Sequence, residues 1–114
     1  MENLFYSCYS LESINLSSFN TSLLYHFRMA FYNCTKLTFV NLSNFDLSYV
    51  TTMACLFENC TSLITVKFPN STTPELKTIG SMFLNCISLL SVDLSNFDTS
   101  KVTHLDTMFK IVYL

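Results

Sequence analysis

Apolar side chains recur along this chain at a fixed spacing of 26 residues. Three columns show the spacing without an insertion: Phe5, Phe31, Phe57, Phe83 and Phe109; Cys8, Cys34, Cys60 and Cys86; Leu11, Leu37, Leu63 and Leu89. A fixed period of this size is typical of repeat proteins, in which each repeat forms one structural unit. The pattern predicts a single domain over residues 1–114, with repeats at about 5–30, 31–56, 57–82 and 83–108.

The first half of each repeat has the apolar spacing of a short helix. Val50, Met53, Leu56 and Phe57 fall at i, i+3, i+6 and i+7, which places them on one helical face. Equivalent sets end at Phe31, Phe83 and Phe109, and Thr51 and Thr103 stand where an N-cap residue would. We therefore expect four helices of two or three turns, ending near Phe31, Phe57, Phe83 and Phe109.

The second half of each repeat alternates apolar and polar residues, as a half-buried strand does. The apolar positions are Ile14 and Leu16, Val40 and Leu42, Val66 and Phe68, Val92 and Leu94. The spacing predicts four parallel strands centred near Ile14, Val40, Val66 and Val92. The third repeat departs from the others between Phe68 and Pro74, where Ser71 replaces a phenylalanine, so its turn should differ.

One strand and one short helix cannot bury their own apolar side, but stacked repeats can. The sequence thus predicts an α/β repeat solenoid of about four coils, each with a parallel strand and a helix. The L-x-x-V-x-L spacing of the strand half is that of leucine-rich repeats.

Composition and charge exclude several classes of protein. Hydrophobic residues make up 50% of the chain and charged residues 12%, which excludes disorder. The net charge of −2, without a basic stretch, argues against nucleic-acid partners. Direct membrane insertion is not expected, because no apolar run approaches the roughly 18 residues that it needs. A single glycine excludes glycine-rich phosphate loops.

The residues that could carry chemistry are too widely spaced to form a catalytic or metal site. Four of the five cysteines occur once per repeat, unlike the close pairs of zinc sites, and we expect free thiols with Cys55 the most exposed. His26 and His104 lie three repeats apart. Asp46 and Asp98 are predicted to bond their own turn backbone. No enzyme activity, cofactor or metal is expected.

Several segments match a more specific repeat. They are Asn33 to Leu37, Val40 to Asp46 and Ser91 to Thr103, in which asparagine, phenylalanine and aspartate share a turn. Over most of its length the chain resembles the BspA-like leucine-rich-repeat surface proteins. This resemblance implies an extracellular or cell-surface protein that acts in adhesion or binding, although residues 1–5 are no secretion signal.

The predicted repeat fold and the resemblance to surface proteins suggest two functions. In the first, the chain is a non-enzymatic module that binds another protein or a glycan through its strand face. The candidate residues point outward from the strands and are Asn15, Phe39, Asn41, Lys67 and Asp93. In the second, the repeats are structural spacers within a longer surface protein. Aromatic or charged variation on the outward positions would favour binding.

Neither end of the chain resembles a polar cap. Met1, Leu4 and Phe5 are ordinary core positions, and the segment from Lys110 to Leu114 is apolar. We therefore expect a fragment of a longer array, whose isolated form self-associates through its exposed apolar ends.

Overall fold

The computed structural model describes residues 1–110 as a stack of successive 26-residue turns, in which equivalent residues such as Val40 and Val66 lie side by side. Strands β1 (Phe39–Asn41) and β2 (Thr65–Lys67) pair in parallel, with Val40 opposite Val66. We call each 26-residue turn of this stack a coil. The parallel pairing and the spacing of these two strands are as predicted.

A second parallel ladder runs along the other part of each coil. It consists of isolated bridges that join His26 to Thr52, Thr52 to Thr78 and Thr78 to His104. This ladder was not predicted from the sequence, because no alternation of apolar and polar residues marks it. It holds the coils together where the helices were expected.

The predicted helices are wrong: residues 1–110 contain no helix, and hence none that could cross a membrane. From Phe27 to Asn33, every second backbone N–H donates instead to a carbonyl of the next coil. The Phe27 N–H bonds the Thr52 carbonyl at 3.0 Å, and the Phe31 N–H bonds the Leu56 carbonyl at 3.0 Å. Since these N–H groups are used between coils, they cannot form the i→i−4 bonds of an α-helix.

Left-handed residues interrupt the same segments. Met29 and Asn33 have φ of 55° and 59°, and Cys55 and Asn59 have 56° and 62°. An α-helix needs φ near about −60° throughout. The predicted α/β class, with one helix per coil, is therefore incorrect.

Thr51 and Thr103, which were predicted to cap helices, make hydrogen bonds between coils instead. The Thr51 hydroxyl donates to the Tyr25 carbonyl of the preceding coil at 3.2 Å, and Thr103 does the same to Lys77 at 3.5 Å. Both threonines therefore join coils and cap no helix.

Only two of the four predicted strands form within residues 1–110. Ile14 and Val92, at the centres of the other two, lie in irregular backbone and are half-buried. The Thr38 N–H reaches the Glu12 carbonyl at 3.5 Å, against 2.9 Å for the next equivalent bond, from Ile64 to Thr38. Pairing toward the first coil is thus too loose for a ladder.

The core consists of the apolar columns, each of which runs from coil to coil. Phe31 stacks on Phe57 and Phe57 on Phe83, with ring centroids 5.3 and 5.6 Å apart and interplanar angles of 10° or less. These rings are at most 2% exposed, so the prediction that they are core residues is confirmed. Stacked rings of this kind contribute about 0.5–1.5 kcal/mol per pair beyond the area they bury.

Polar side chains beneath the surface also pair from coil to coil. The Asn59 Nδ2 donates to Asn33 Oδ1 and the Asn85 Nδ2 to Asn59 Oδ1, each at 2.8 Å. The Cys60 thiol donates to the Phe31 carbonyl at 3.0 Å. No buried side-chain nitrogen or oxygen in the described part of the chain lacks a partner.

Residues Ile111 to Leu114 of the apolar C-terminal segment lie outside the described residues.

Candidate binding groove

The outward column of the strand half contains Asn15, Asn41, Lys67 and Asp93, one per coil, and all four are exposed. Three of them bond their own turn, since each side-chain Oδ1 accepts the N–H two residues on. The acceptor distances are 3.0 Å for Asn15, 3.0 Å for Asn41 and 2.9 Å for Asp93. Their first role is therefore local, because an Asx turn fixes the backbone where the strand half ends.

Three of the five candidate residues lie around one cavity of about 420 Å³. Phe39 comes from the second coil, Lys67 from the third and Asp93 from the fourth. Phe39 presents its ring to solvent, with 45% of the residue exposed. Within residues 1–110 the Lys67 ammonium has no hydrogen bond or ion pair. An aromatic ring, a cation and an anion are thus available to a ligand in one place.

The charge of Asp93 is fixed by its own turn. Hydrogen bonds from the Ser95 hydroxyl and backbone N–H hold the pKa of the Asp93 carboxyl below its usual range. Since that range already lies well below neutral, Asp93 is ionised at pH 7. The cavity therefore carries one positive and one negative charge beside the Phe39 ring.

A second cavity of about 390 Å³ adjoins the first and shares Pro69 and Asn70 with it. It is lined by the turn of the second coil, including Ser43 and Asp46, and by Ser71. We call the two cavities together the groove, with a first lobe at Phe39 and a second lobe at Asp46. Asn70, Asn96 and the second lobe were not predicted, although the irregular third repeat was a signal for Asn70 and the second lobe.

Asn15 and Asn41 do not line either cavity, so the groove excludes two of the five candidates. Asp46 and Asp98 do bond their own turns, as predicted: their Oδ1 atoms accept the N–H of Ser48 at 3.0 Å and of Ser100 at 2.9 Å. These bonds hold the pKa of both carboxyls below the usual range.

The cysteines are free thiols, most of them packed inside the stack, and they are not gathered into a metal site. Cys34, Cys60 and Cys86 are buried free thiols, and burial raises the pKa of Cys34 to about 11 and of Cys86 to about 12. Cys55 is only half-buried, but so is Cys8, and the structure does not single out Cys55. Among the described residues no three His, Cys, Asp or Glu side chains gather where they could hold a metal ion.

The fold and the groove define a repeat protein of stacked 26-residue coils, with a recess that contains an exposed aromatic ring and two charged side chains on the strand face of its described residues. The chain belongs to the family described as "Mycoplasma protein of unknown function, DUF285", whose model matches residues 1–86 and, in an overlapping match, residues 27–113. No curated protein and no solved structure matches the chain.

Proposed function

We propose that this chain is a non-enzymatic binding module that contacts another protein or a glycan through its strand face. The observation that carries the proposal is the convergence of Phe39, Lys67 and Asp93, from three successive coils, on one cavity of about 420 Å³. Cavities that hold small ligands or recognition groups have volumes of this order, about 300–1,000 Å³. A few residues carry most of the energy of binding, and aromatic side chains are prominent among them.

The chemistry of the groove favours binding over catalysis. Its described lining holds neither a histidine nor a cysteine, and no hydroxyl is paired there with a general base. His26 and His104 stand at opposite ends of the bridge ladder, separated by Thr52 and Thr78. The groups that do meet can stack and form hydrogen bonds, which is what recognition requires.

The resemblance to BspA-like surface proteins supports an adhesion role at the cell surface. That role agrees with a groove open to solvent, and it would place a protein or glycan ligand within reach. It rests on the repeat motif alone, since the family to which the chain belongs is one of unknown function.

A second candidate, a structural spacer, is supported by the ladders that bind each coil to the next. Side-chain bonds run from Asn85 through Asn59 to Asn33, and stacked rings run from Phe5 to Phe109. A stack held in this way is suited to projecting a binding part located elsewhere. Such a spacer has no need of the exposed Phe39 or of a Lys67 ammonium that has no partner among residues 1–110, and we therefore place binding first.

The test is a search for ligands followed by substitution in the groove. The purified chain is applied to arrays of glycans and of cell-surface proteins, and each ligand found is titrated against variants. We expect Phe39→Ala and Lys67→Ala each to weaken binding by about tenfold or more. Tyr49→Ala is the matched control, because Tyr49 is 51% exposed but lies outside the groove.

Two results would overturn the proposal. If Phe39→Ala binds as tightly as the unmodified chain while Tyr49→Ala does not, the recognition surface lies elsewhere. If the chain binds nothing on either array, the spacer function takes its place.

A further inference from the structure

Four cysteines occupy equivalent positions at one corner of the stack, one in each coil: Cys8, Cys34, Cys60 and Cys86. Two rings that come three residues earlier in the first two coils, Phe5 and Phe31, stack with centroids 5.3 Å apart. Beside them the Ser7 N–H donates to the Tyr32 carbonyl of the next coil at 2.7 Å. The coils therefore approach each other at this corner about as closely as paired strands of a sheet, which lie about 4.7–4.9 Å apart.

The close approach of the coils brings these thiols within bonding range of one another. Packed helices, which the sequence predicted here, lie about 8–10 Å apart. A disulfide joins Cα atoms that are about 4.4–6.8 Å apart. Helices would have held equivalent cysteines beyond that range, whereas the observed coils hold them within it. All five thiols are free in this structure.

The thiols from the second coil onward are directed at the cysteine of the coil before. The Cys34 Sγ donates to the Phe5 carbonyl at 3.1 Å, and the same carbonyl accepts the Cys8 backbone N–H at 3.1 Å. One oxygen atom is thus shared by the sulfur of one cysteine and the backbone of the other. The same arrangement recurs in the two following coils.

The four positions differ in their access to solvent. Cys8 is half-buried, whereas Cys34 and Cys60 are fully buried and Cys86 is only 6% exposed. Disulfide exchange begins at a thiol that the oxidant can reach. Of the neighbouring pairs in this column, Cys8 and Cys34 are therefore the pair that an oxidant in solution reaches first.

The first coil is also held less firmly in its strand half than the coils that follow. The Thr38 N–H lies 3.5 Å from the Glu12 carbonyl, against 2.9 and 3.0 Å for the equivalent bonds of the next two coils. Cys8 lies just before this loosely paired segment. A covalent bond at Cys8 would hold the first coil on the second where the hydrogen bonding between them weakens.

We infer that Cys8 and Cys34 form a disulfide when the protein meets an oxidising low-molecular-weight disulfide, and that this bond fastens the first coil to the second. The Cys8 thiolate attacks one sulfur of the reagent, forms a mixed disulfide and releases one small thiol. The Cys34 thiolate then attacks the Cys8 sulfur and releases the second small thiol. Two protein thiols lose two electrons and two protons, and the reagent is reduced to two thiols.

Treatment of the native protein with oxidised glutathione, followed by N-ethylmaleimide and trypsin, tests the pairing. Trypsin cleavage places Cys8 on residues 1–28 and Cys34 on residues 29–36. Mass spectrometry without reduction should find these two peptides joined. The thermal unfolding midpoint of the oxidised protein should rise by about 5 °C or more, because the bond closes a long loop in the unfolded chain.

Two serine variants complete the design. Cys8→Ser should abolish both the joined peptides and the rise in the midpoint, while its midpoint before oxidation stays close to that of the reduced unmodified chain. Cys55→Ser is the matched control, because Cys55 is also half-buried but has Met29 and Ser81 at the equivalent positions of the neighbouring coils. It should leave both results unchanged.

Three outcomes would contradict the inference. Cys8 that carries glutathione but is joined to no other cysteine would overturn it, and so would a bond from residues 29–36 to residues 37–67, which would give Cys34 a different partner. Joined peptides without a higher midpoint would overturn the fastening of the first coil. The described lining of the groove contains no cysteine, so the proposed binding function stands or falls separately.

Discussion

At the scale of single residues, the neighbours Asn41 and Leu42 contribute very differently to the free energy of unfolding. Leu42 is fully buried between coils, whereas the exposed side chain of Asn41 accepts a hydrogen bond from the Ser43 N–H of its own turn. We expect Leu42→Ala to lower the free energy of unfolding by about 2–5 kcal/mol, because it leaves a cavity in the core. Asn41→Ala loses one exposed hydrogen bond and should cost about 1 kcal/mol or less. Urea denaturation of the two variants measures the difference, and equal midpoints would contradict the assignment of the two faces.

The thiols differ in reactivity for reasons that the structure specifies. Burial and then the Glu58 side chain raise the pKa of Cys55 to about 11, so only about one thiol in a thousand is ionised at pH 8. Removing the Glu58 charge lowers this pKa, and Glu58→Gln should therefore speed alkylation of Cys55 about two- to fivefold. Mass spectrometry of iodoacetamide-treated native protein follows the reaction, with Cys8 as the internal reference.

The buried thiols provide the contrasting case. Burial raises the pKa of Cys60 still further, and its thiol donates to the Phe31 carbonyl. It should react only after unfolding. Native labelling of Cys60 at the rate of Cys55 would mean that the core opens far more readily than this packing allows.

At the scale of elements, the left-handed asparagines replace the helices that were expected. Asn59 has φ of 62° and makes two ladder bonds, to Asn33 and from Asn85. Asn59→Gly keeps this backbone and removes both bonds, and we expect a loss of about 1–3 kcal/mol. Asn59→Ala should cost about 1 kcal/mol more, since alanine is strained in the left-handed region.

Asn3→Gly is the matched control for the ladder. Asn3 also has a positive φ, of 56°, but it is exposed and its side chain makes no hydrogen bond within the described residues. This variant should shift the thermal unfolding midpoint very little. If Asn59→Gly proves equally harmless, the asparagine ladder does not stabilise the stack.

The helices were mispredicted because apolar spacing does not determine backbone conformation. Val50, Met53, Leu56 and Phe57 are all buried, as a helical face would be. Here, however, the same residues lie in successive turns, in which the Leu56 N–H bonds the Met53 carbonyl at 3.2 Å and Cys55 has a φ of 56°. Cysteine, methionine and serine at such positions do not indicate a positive φ in the sequence, since glycine is the residue that usually does so.

At the scale of the whole molecule, the 26-residue period did predict which residues lie side by side. It placed Val40 beside Val66 and Phe57 between Phe31 and Phe83, because stacked coils of equal length keep equal positions in register. The period could not predict the groove in full. Phe39, Lys67 and Asp93 were readable as outward positions, but the second lobe depends on how an irregular turn repacks, which a repeat pattern does not contain.

The first and last coils that the structure describes expose members of columns that are buried in the coils between them. Leu4 is 45% exposed and Phe109 is 54% exposed, whereas their column partners Leu56 and Phe57 are fully buried. The ring of Phe109 stacks on Phe83 with one face and leaves the other without a described ring partner. We expect a second copy to place its first coil against the coil of Phe109, because Leu4 and Phe109 belong to columns that run through the whole described stack.

Such contacts join unlike surfaces and do not close, so the 114-residue chain should form open, concentration-dependent assemblies and not a fixed dimer. Sedimentation velocity over a range of protein concentrations measures this directly. Phe109→Glu and Leu4→Glu each place a charge in the contact and should shift the distribution toward monomer. Tyr49→Glu adds the same charge at a similarly exposed residue away from the ends and should not. A sedimentation coefficient independent of concentration in the unmodified chain would show that the apolar ends do not drive association.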